Sequence, residues 1–141
     1  MIIYVESSAI LAWLLGEPTG EFVRKTLGGA RRVVTSALTG VECARALLRA
    51  RVLGRISATQ ELATLQLLAV AESQWDVHAL SERVLARARA SLPGDPVRTL
   101  DALHVATAMI IGEQLGSVSV LSFDLRVREC LQRLGLPVLP A

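Results

Sequence analysis

Ile2 to Val5 is an unbroken apolar run, Ile-Ile-Tyr-Val, with no polar position to mark a wet face. Such a run reads as a strand buried on both sides, as in a parallel sheet. Apolar residues resume at Ala9 in helical rhythm and carry a helix to Leu15, ended by Gly16 and Pro18. A second helix is expected over Thr19 to Leu27, stopped by Gly28-Gly29. Val33-Val34-Thr35 is a second buried strand, followed by a helix from about Leu38 to Leu53 with Gly54 past its end as a C-cap. Ser57, with Gln60 or Glu61 as its partner, is a capping-box start for a helix over Ala58 to Glu72, whose apolar stripe is Leu62, Leu65, Leu68 and Ala69.

Trp75 to His78 is a third short strand, and Ser81 caps a helix through Ala90. Pro93-Gly94-Asp95-Pro96 then breaks the chain. From about Thr99 to Leu115 the sequence is apolar on nearly every side of a helix, which predicts deep burial; Gly116 ends it. Val118 to Ser122 is a fourth strand, Asp124 to Leu134 a last helix, and Val138-Leu139 an edge strand. Strands alternating with helices predict an α/β fold: three layers, α/β/α, around a central, mostly parallel sheet of four to five strands. No repeat, low-complexity tract or long linker interrupts the pattern, so residues 1–141 are expected to form one domain.

Composition narrows the picture without redirecting it. At 141 residues the chain can bury a real core, and with 52% hydrophobic but only 4% aromatic residues that core must be aliphatic. Disorder is excluded as a description of the whole chain. The longest candidate span, Ala102 to Ile111, is too short for a bilayer and holds His104 and Thr107. The start lacks a positive signal-peptide region and Glu6 interrupts its apolar run, so the expected location is the cytoplasm. Cys43 and Cys130 have no metal or redox spacing and sit in apolar helical contexts, as reduced, buried thiols do. The formal charge is +2 and Lys25 is the sole lysine, so the basic side is almost all arginine, whose planar fork suits phosphate. This balance permits a nucleic-acid partner without requiring one.

The candidate chemistry lies in four of the thirteen acidic residues. Glu6 ends the first strand, Glu42 lies in the first turns of the helix after the second, and Asp124 follows the fourth. Asp101 lies in the first turn of the most hydrophobic helix. In a parallel sheet the carboxyl ends of the strands and the starts of the following helices share one rim, where ligands bind. Each residue has a local explanation. Ser7 or Ser8 would cap the first helix with Glu6 as decoration, and that reading is favoured from the segment alone. Glu42 would pair with Arg45 or Arg49, Asp101 would favour its helix N-terminus, and Asp124 would act partly as a cap. Gathered at one rim, however, four carboxylates repel one another unless a cation neutralises them. Oxygen-only ligands point to a hard ion, Mg²⁺ or Mn²⁺, and to metal-assisted phosphodiester hydrolysis. His104, one turn beyond Asp101, reads as a core residue bonded to backbone rather than a catalytic base. Ser8 and Ser122 are small hydroxyls beside the acids, able to hold a ligand or simply to cap.

Together the pieces resemble the PIN domain, and most closely the VapC-type toxin ribonucleases of bacterial toxin–antitoxin pairs. The matching segments are Ile-Ile-Tyr-Val-Glu-Ser-Ser-Ala-Ile-Leu at the start, Val-Glu-Cys-Ala-Arg-Ala-Leu around Glu42, Asp-Ala-Leu-His-Val-Ala-Thr-Ala from Asp101, Ser-Phe-Asp at 122–124, and the closing Leu-Gly-Leu-Pro-Val. The resemblance spans the chain, and the Asp101 segment is its most specific piece. It implies a Mg²⁺- or Mn²⁺-dependent endoribonuclease, a homodimer, and a cognate antitoxin that wraps the protein and reaches into its acidic site. Carried over by position, Glu6, Glu42, Asp101 and Asp124 form the catalytic and metal-binding quartet, with Ser8 and Ser122 as supporting polar residues. Arg45 and Arg49 are candidates to hold the RNA backbone.

One position departs from the family pattern: Glu6 stands where aspartate is usual. Its side chain is longer by roughly 1.5 Å, whereas ligand distances are held to about 0.2 Å. Glu6 must fold back, bind through water, or shift the ion, which bears on catalytic efficiency and not on fold. The alternative function is therefore a weakened PIN module that binds RNA or antitoxin without efficient cleavage. A phospho-acceptor receiver domain is set aside, because it needs a late lysine and Lys25 is the only one. The scarcity of aromatics leaves little for base stacking and favours recognition of a structured RNA by shape and backbone.

Overall fold

A computed structural model describes residues 1–141. Five strands, β1 (Ile2–Val5), β2 (Arg32–Ser36), β3 (Asp76–His78), β4 (Ser119–Leu121) and β5 (Val138–Leu139), form one sheet in the order β3-β2-β1-β4-β5. Every pairing is parallel, with Ile3 opposite Val33 on one side and Tyr4 opposite Val120 on the other. The central position of β1 explains its unbroken apolar sequence. Ile2 and Tyr4 enter one hydrophobic core, and Ile3 and Val5 enter a second core on the opposite face.

Seven helices cover those faces: α1 (Ser7–Leu14), α2 (Gly20–Gly28), α3 (Ala37–Val52), α4 (Ala58–Glu72), α5 (Glu82–Arg89), α6 (Thr99–Leu115) and α7 (Leu125–Arg133). The core holding Ile3 and Val5 is completed by Ile10 of α1, Val23 of α2, Cys43 of α3 and Leu68 of α4. The other core takes Val105 and Ile111 from α6 and Val127 and Leu131 from α7. Val84 of α5 packs on Ala106 and Ile110 of α6, so α6 is sandwiched between the sheet and another helix. Its burial on nearly every side follows from that position. The three-layer α/β/α arrangement is the expected one, with five strands and no antiparallel member.

Local signals worked as the residues predicted. Ser57 and Gln60 form a reciprocal capping box at the start of α4, and Gly54, just past α3, takes the positive φ of 73° that glycine tolerates best. Cys43 and Cys130 are unpaired and buried, and burial pushes the Cys43 thiol up to about 12. No helix is long and apolar enough to cross a membrane.

One local expectation is corrected. The cap of α1 is Glu6 itself, whose carboxylate accepts from the Ser8 backbone N–H at 3.1 Å. The side chain folds back over its own residue to reach that amide. The apolar stripe of α4 is partly covered: Leu68 is in the core, and Leu62 and Ala69 are exposed. That helix lies outermost on its face, over α3, and has no layer beyond it.

Candidate acidic site

The parallel sheet carries the ends of β1, β2 and β4 to one rim, and α6 begins at the same rim. Glu6, Glu42, Asp101 and Asp124 accordingly line one cleft of about 450 Å³, together with Ser7, Ser8 and Arg98. The four acids come from four separate segments of the chain.

Glu6 is 5% exposed and fully engaged. Its Oε2 accepts from the Ser8 amide, from the Ser8 hydroxyl and, at 2.8 Å, from Ser122 Oγ. These two serines hold backbone in turn: Ser8 Oγ accepts from Phe123 N at 2.9 Å, and Ser122 Oγ from Asp124 N at 3.2 Å. Ser122 is wholly buried behind Glu6, outside the cleft surface. Both hydroxyls thus serve to retract the Glu6 carboxylate and tie the end of β1 to the turn after β4. Ser7, to which sequence reasoning gave no site role, lies between two acids. Its Oγ is 2.7 Å from Glu6 Oε1 and 3.1 Å from Glu42 Oε1, with one proton to share.

Glu42 does not pair with Arg45 or Arg49. Its Oε1 meets Ser7 and the ring Nε2 of His104. His104 is in the core as expected, at 1% exposure, but its ring bonds side chains: Glu42 at Nε2 and, at 2.7 Å, the Tyr4 hydroxyl at Nδ1. Spacing could not have shown this, although the sole tyrosine in a doubly buried strand had to find a polar partner for its hydroxyl. Burial, followed by the charges of Glu6 and Glu42, holds the Tyr4 phenol well above its usual pKa.

Asp101 and Asp124 share one cation. Arg98 Nε donates to Asp101 Oδ2 at 2.9 Å, and its Nη2 reaches Asp124 Oδ2 at 3.5 Å. Asp101, mainly by hydrogen bonding and then by charge, raises the Arg98 pKa further, with Asp124 adding to it. Sequence reasoning missed Arg98, though its place three residues before Asp101 is the spacing at which opposite charges meet on a helix. Asp124 also caps α7, its Oδ1 accepting from the amides of Arg126 and Val127. Arg45 and Arg49 lie exposed on α3, outside the cleft and in no ion pair.

This donor set fits a hard divalent cation. Glu42 Oε2 and Asp101 Oδ1 accept from no protein group, yet no buried polar side-chain atom lacks a partner. Both oxygens therefore meet solvent, and both residues line the cleft. Behind these two oxygens, polar atoms of Glu6, Glu42 and His104 lie within 4.8 Å of one another. Carboxylate oxygens with room for water are the ligands that Mg²⁺ and Mn²⁺ prefer.

A family profile described as the PIN domain matches residues 3–130. The chain belongs to the PIN-domain family. This PIN protein is 36% identical over 137 residues to Ribonuclease VapC46 of Mycobacterium tuberculosis H37Rv, an alignment covering 97% of this chain and 95% of that protein. In structure it resembles PAE2754 from Pyrobaculum aerophilum, with a TM-score of 0.65, 18% identity, and coverage of 98% of this chain and 83% of the other. It also resembles VapBC-1 from nontypeable Haemophilus influenzae, with a TM-score of 0.64, 13% identity, and coverage of 98% and 96%. These two likenesses concern the fold; the sequence relative ties the PIN chain to proteins named as ribonucleases.

Proposed function

We propose that the protein is a VapC-type endoribonuclease, the toxin of a toxin–antitoxin pair, which hydrolyses RNA phosphodiester bonds at the acidic cleft with Mg²⁺ or Mn²⁺. The observation that carries the reading is the convergence of four carboxylates from four segments on one cleft, with two of their oxygens free of protein donors. Kinship with VapC46 supports ribonuclease as the activity. In this reading Asp101, Asp124 and Glu42 hold the cation directly, and Glu6, drawn back by Ser8 and Ser122, reaches it only by giving up one of those donors. The bound ion supplies Lewis acidity toward water and phosphate oxygens. Arg45 and Arg49, exposed and unpaired, are available for RNA phosphates. The test is RNA cleavage by the purified protein with added Mg²⁺ or Mn²⁺ and its loss on chelation; binding without metal-dependent cleavage would leave the weakened-module alternative.

Arg98 competes with a divalent ion for Asp101 and Asp124. Arg98→Ala should therefore tighten Mn²⁺ binding several-fold in the absence of RNA, as read by isothermal titration calorimetry. Weaker binding would mean that Arg98 organises the carboxylates for the ion instead of standing in its place.

A homodimer and a cognate antitoxin complete the proposal. Leu62, Leu67 and Val70 on α4 and Phe22 on α2 are exposed, an apolar surface that this chain alone leaves in water. Sedimentation at micromolar concentration should show a dimer, and a monomer alone would refute it. The antitoxin rests on kinship with VapC proteins, and co-purification with the product of a neighbouring short gene would identify it.

A further inference from the structure

The two most buried polar rings of the molecule are joined to the acidic cleft. Tyr4 lies in the central strand at 0% exposure, His104 in the second turn of α6 at 1%, and Glu42 on α3. The Tyr4 hydroxyl meets Nδ1 of His104, and Nε2 of the same ring meets Glu42 Oε1. One imidazole therefore bridges a strand and two helices packed on opposite faces of the sheet.

Proton accounting fixes the direction of the chain. A carboxylate oxygen facing a ring nitrogen requires a hydrogen on that nitrogen, since two lone pairs repel. Nε2 thus donates to Glu42. The Tyr4 hydroxyl has Nδ1 of His104 as its one hydrogen-bond partner, so it gives its single proton to that nitrogen. Glu42 Oε1 is consequently engaged by His104 and Ser7, and Oε2 is the oxygen left to the cleft.

We propose that Tyr4 and His104 are positioning residues that lock one oxygen of Glu42 inward and present the other to a divalent cation in the acidic cleft. The proposal rests on the metal-dependent nuclease reading and gives two core residues a part in it. Neither touches substrate; Tyr4 sets the tautomer of His104, and His104 sets the rotation of the Glu42 carboxylate. Polar groups behind a ligand commonly change metal affinity by about 10- to 100-fold when removed.

The experiment uses the intact chain and two kinds of readout. Nitrogen-15 NMR of the metal-free protein should show His104 protonated at Nε2, with Nδ1 accepting a hydrogen bond; Tyr4→Phe should mix the tautomers. In Mn²⁺ titration calorimetry, His104→Gln, whose amide can occupy the Nε2 position, should bind within a few-fold of the parent. His104→Asn, which cannot reach Glu42, should bind about 10- to 100-fold more weakly. Nδ1 protonation in the parent, equal Mn²⁺ affinity in the Asn and Gln variants, or loss of the Nε2 hydrogen on adding Mg²⁺ would overturn the proposal, the last because it would make His104 a ligand. If the His104 variants fail to fold, the near-isosteric Tyr4→Phe decides through the tautomer. A parent that shows these signatures and cuts no RNA upholds the positioning of Glu42 and removes the nuclease reading. A parent that cuts RNA while the Asn and Gln variants bind Mn²⁺ alike removes the positioning role alone.

Discussion

Asp101→Asn should lower RNA cleavage roughly 10²- to 10³-fold, the usual cost of deleting one electrostatic stabiliser of a reacting centre, while leaving metal-free thermal stability unchanged or raised. Asp101 lines the cleft with three other carboxylates and is balanced there by one guanidinium, that of Arg98. Removing one negative charge therefore relieves repulsion that the single cation leaves uncancelled. Asparagine keeps an oxygen to accept from Arg98 Nε, so the hydrogen bond has a substitute even though its charge assistance is lost. Arg98 is exposed over more than half its side chain, which limits what its ion pair adds to folding. The measurements are initial cleavage rates at saturating Mn²⁺ and Tm in the presence of chelator. A fall of more than about 5 °C in the chelated variant would show that Asp101 serves chiefly as a structural partner of Arg98. Retained cleavage would remove it from the reacting centre.

The fold was legible wherever the deciding information was local. The unbroken apolar run of β1 follows from burial on both faces, and α6 runs from Thr99 to Leu115 as its pattern predicts, because periodicity and the Gly116 stop lie within the segment. The strand order is a tertiary result, and no residue pattern set it. The limit is the same at α4: apolar spacing at Leu62, Leu65, Leu68 and Ala69 shows a face but not whether another layer covers it. The four acids were legible through topology, since a parallel sheet delivers the ends of its strands to one rim whatever lies between them. Their partners were not. His104 is separated from Tyr4 by 100 positions and from Glu42 by 62, so only folding brings the three together. Expecting backbone partners for a buried histidine is sound where helices pack alone. Here a polar rim lies one turn away and supplies side-chain partners instead.

Glu6→Asp should raise Mg²⁺-dependent cleavage by roughly tenfold, within the range by which groups around a metal site alter its function, and narrow an expected preference of the natural protein for Mn²⁺. Glu6 reaches back to cap α1, and both its oxygens are engaged by the hydroxyls of Ser7, Ser8 and Ser122 and the Ser8 amide. A cation drawing on Glu6 must displace one of those donors or accept off-centre geometry. Mg²⁺, which demands near-ideal octahedral coordination, suffers more from that than the larger Mn²⁺. Aspartate, shorter by roughly 1.5 Å, still caps a helix well, but it loses the reach to Ser122, now 2.8 Å from Oε2. One carboxylate oxygen is thereby released toward the cleft. The buried Ser122 hydroxyl loses its charged acceptor, so the variant should be about 1 kcal/mol less stable, a gain in activity set against a loss in stability. Cleavage titrated against each ion for both forms, at fixed ionic strength because phosphate contacts are salt-dependent, measures the first effect, and urea denaturation measures the second. Identical ion preference in the two forms would place Glu6 outside cation binding and leave it as the cap of α1 and the anchor between β1 and the turn after β4.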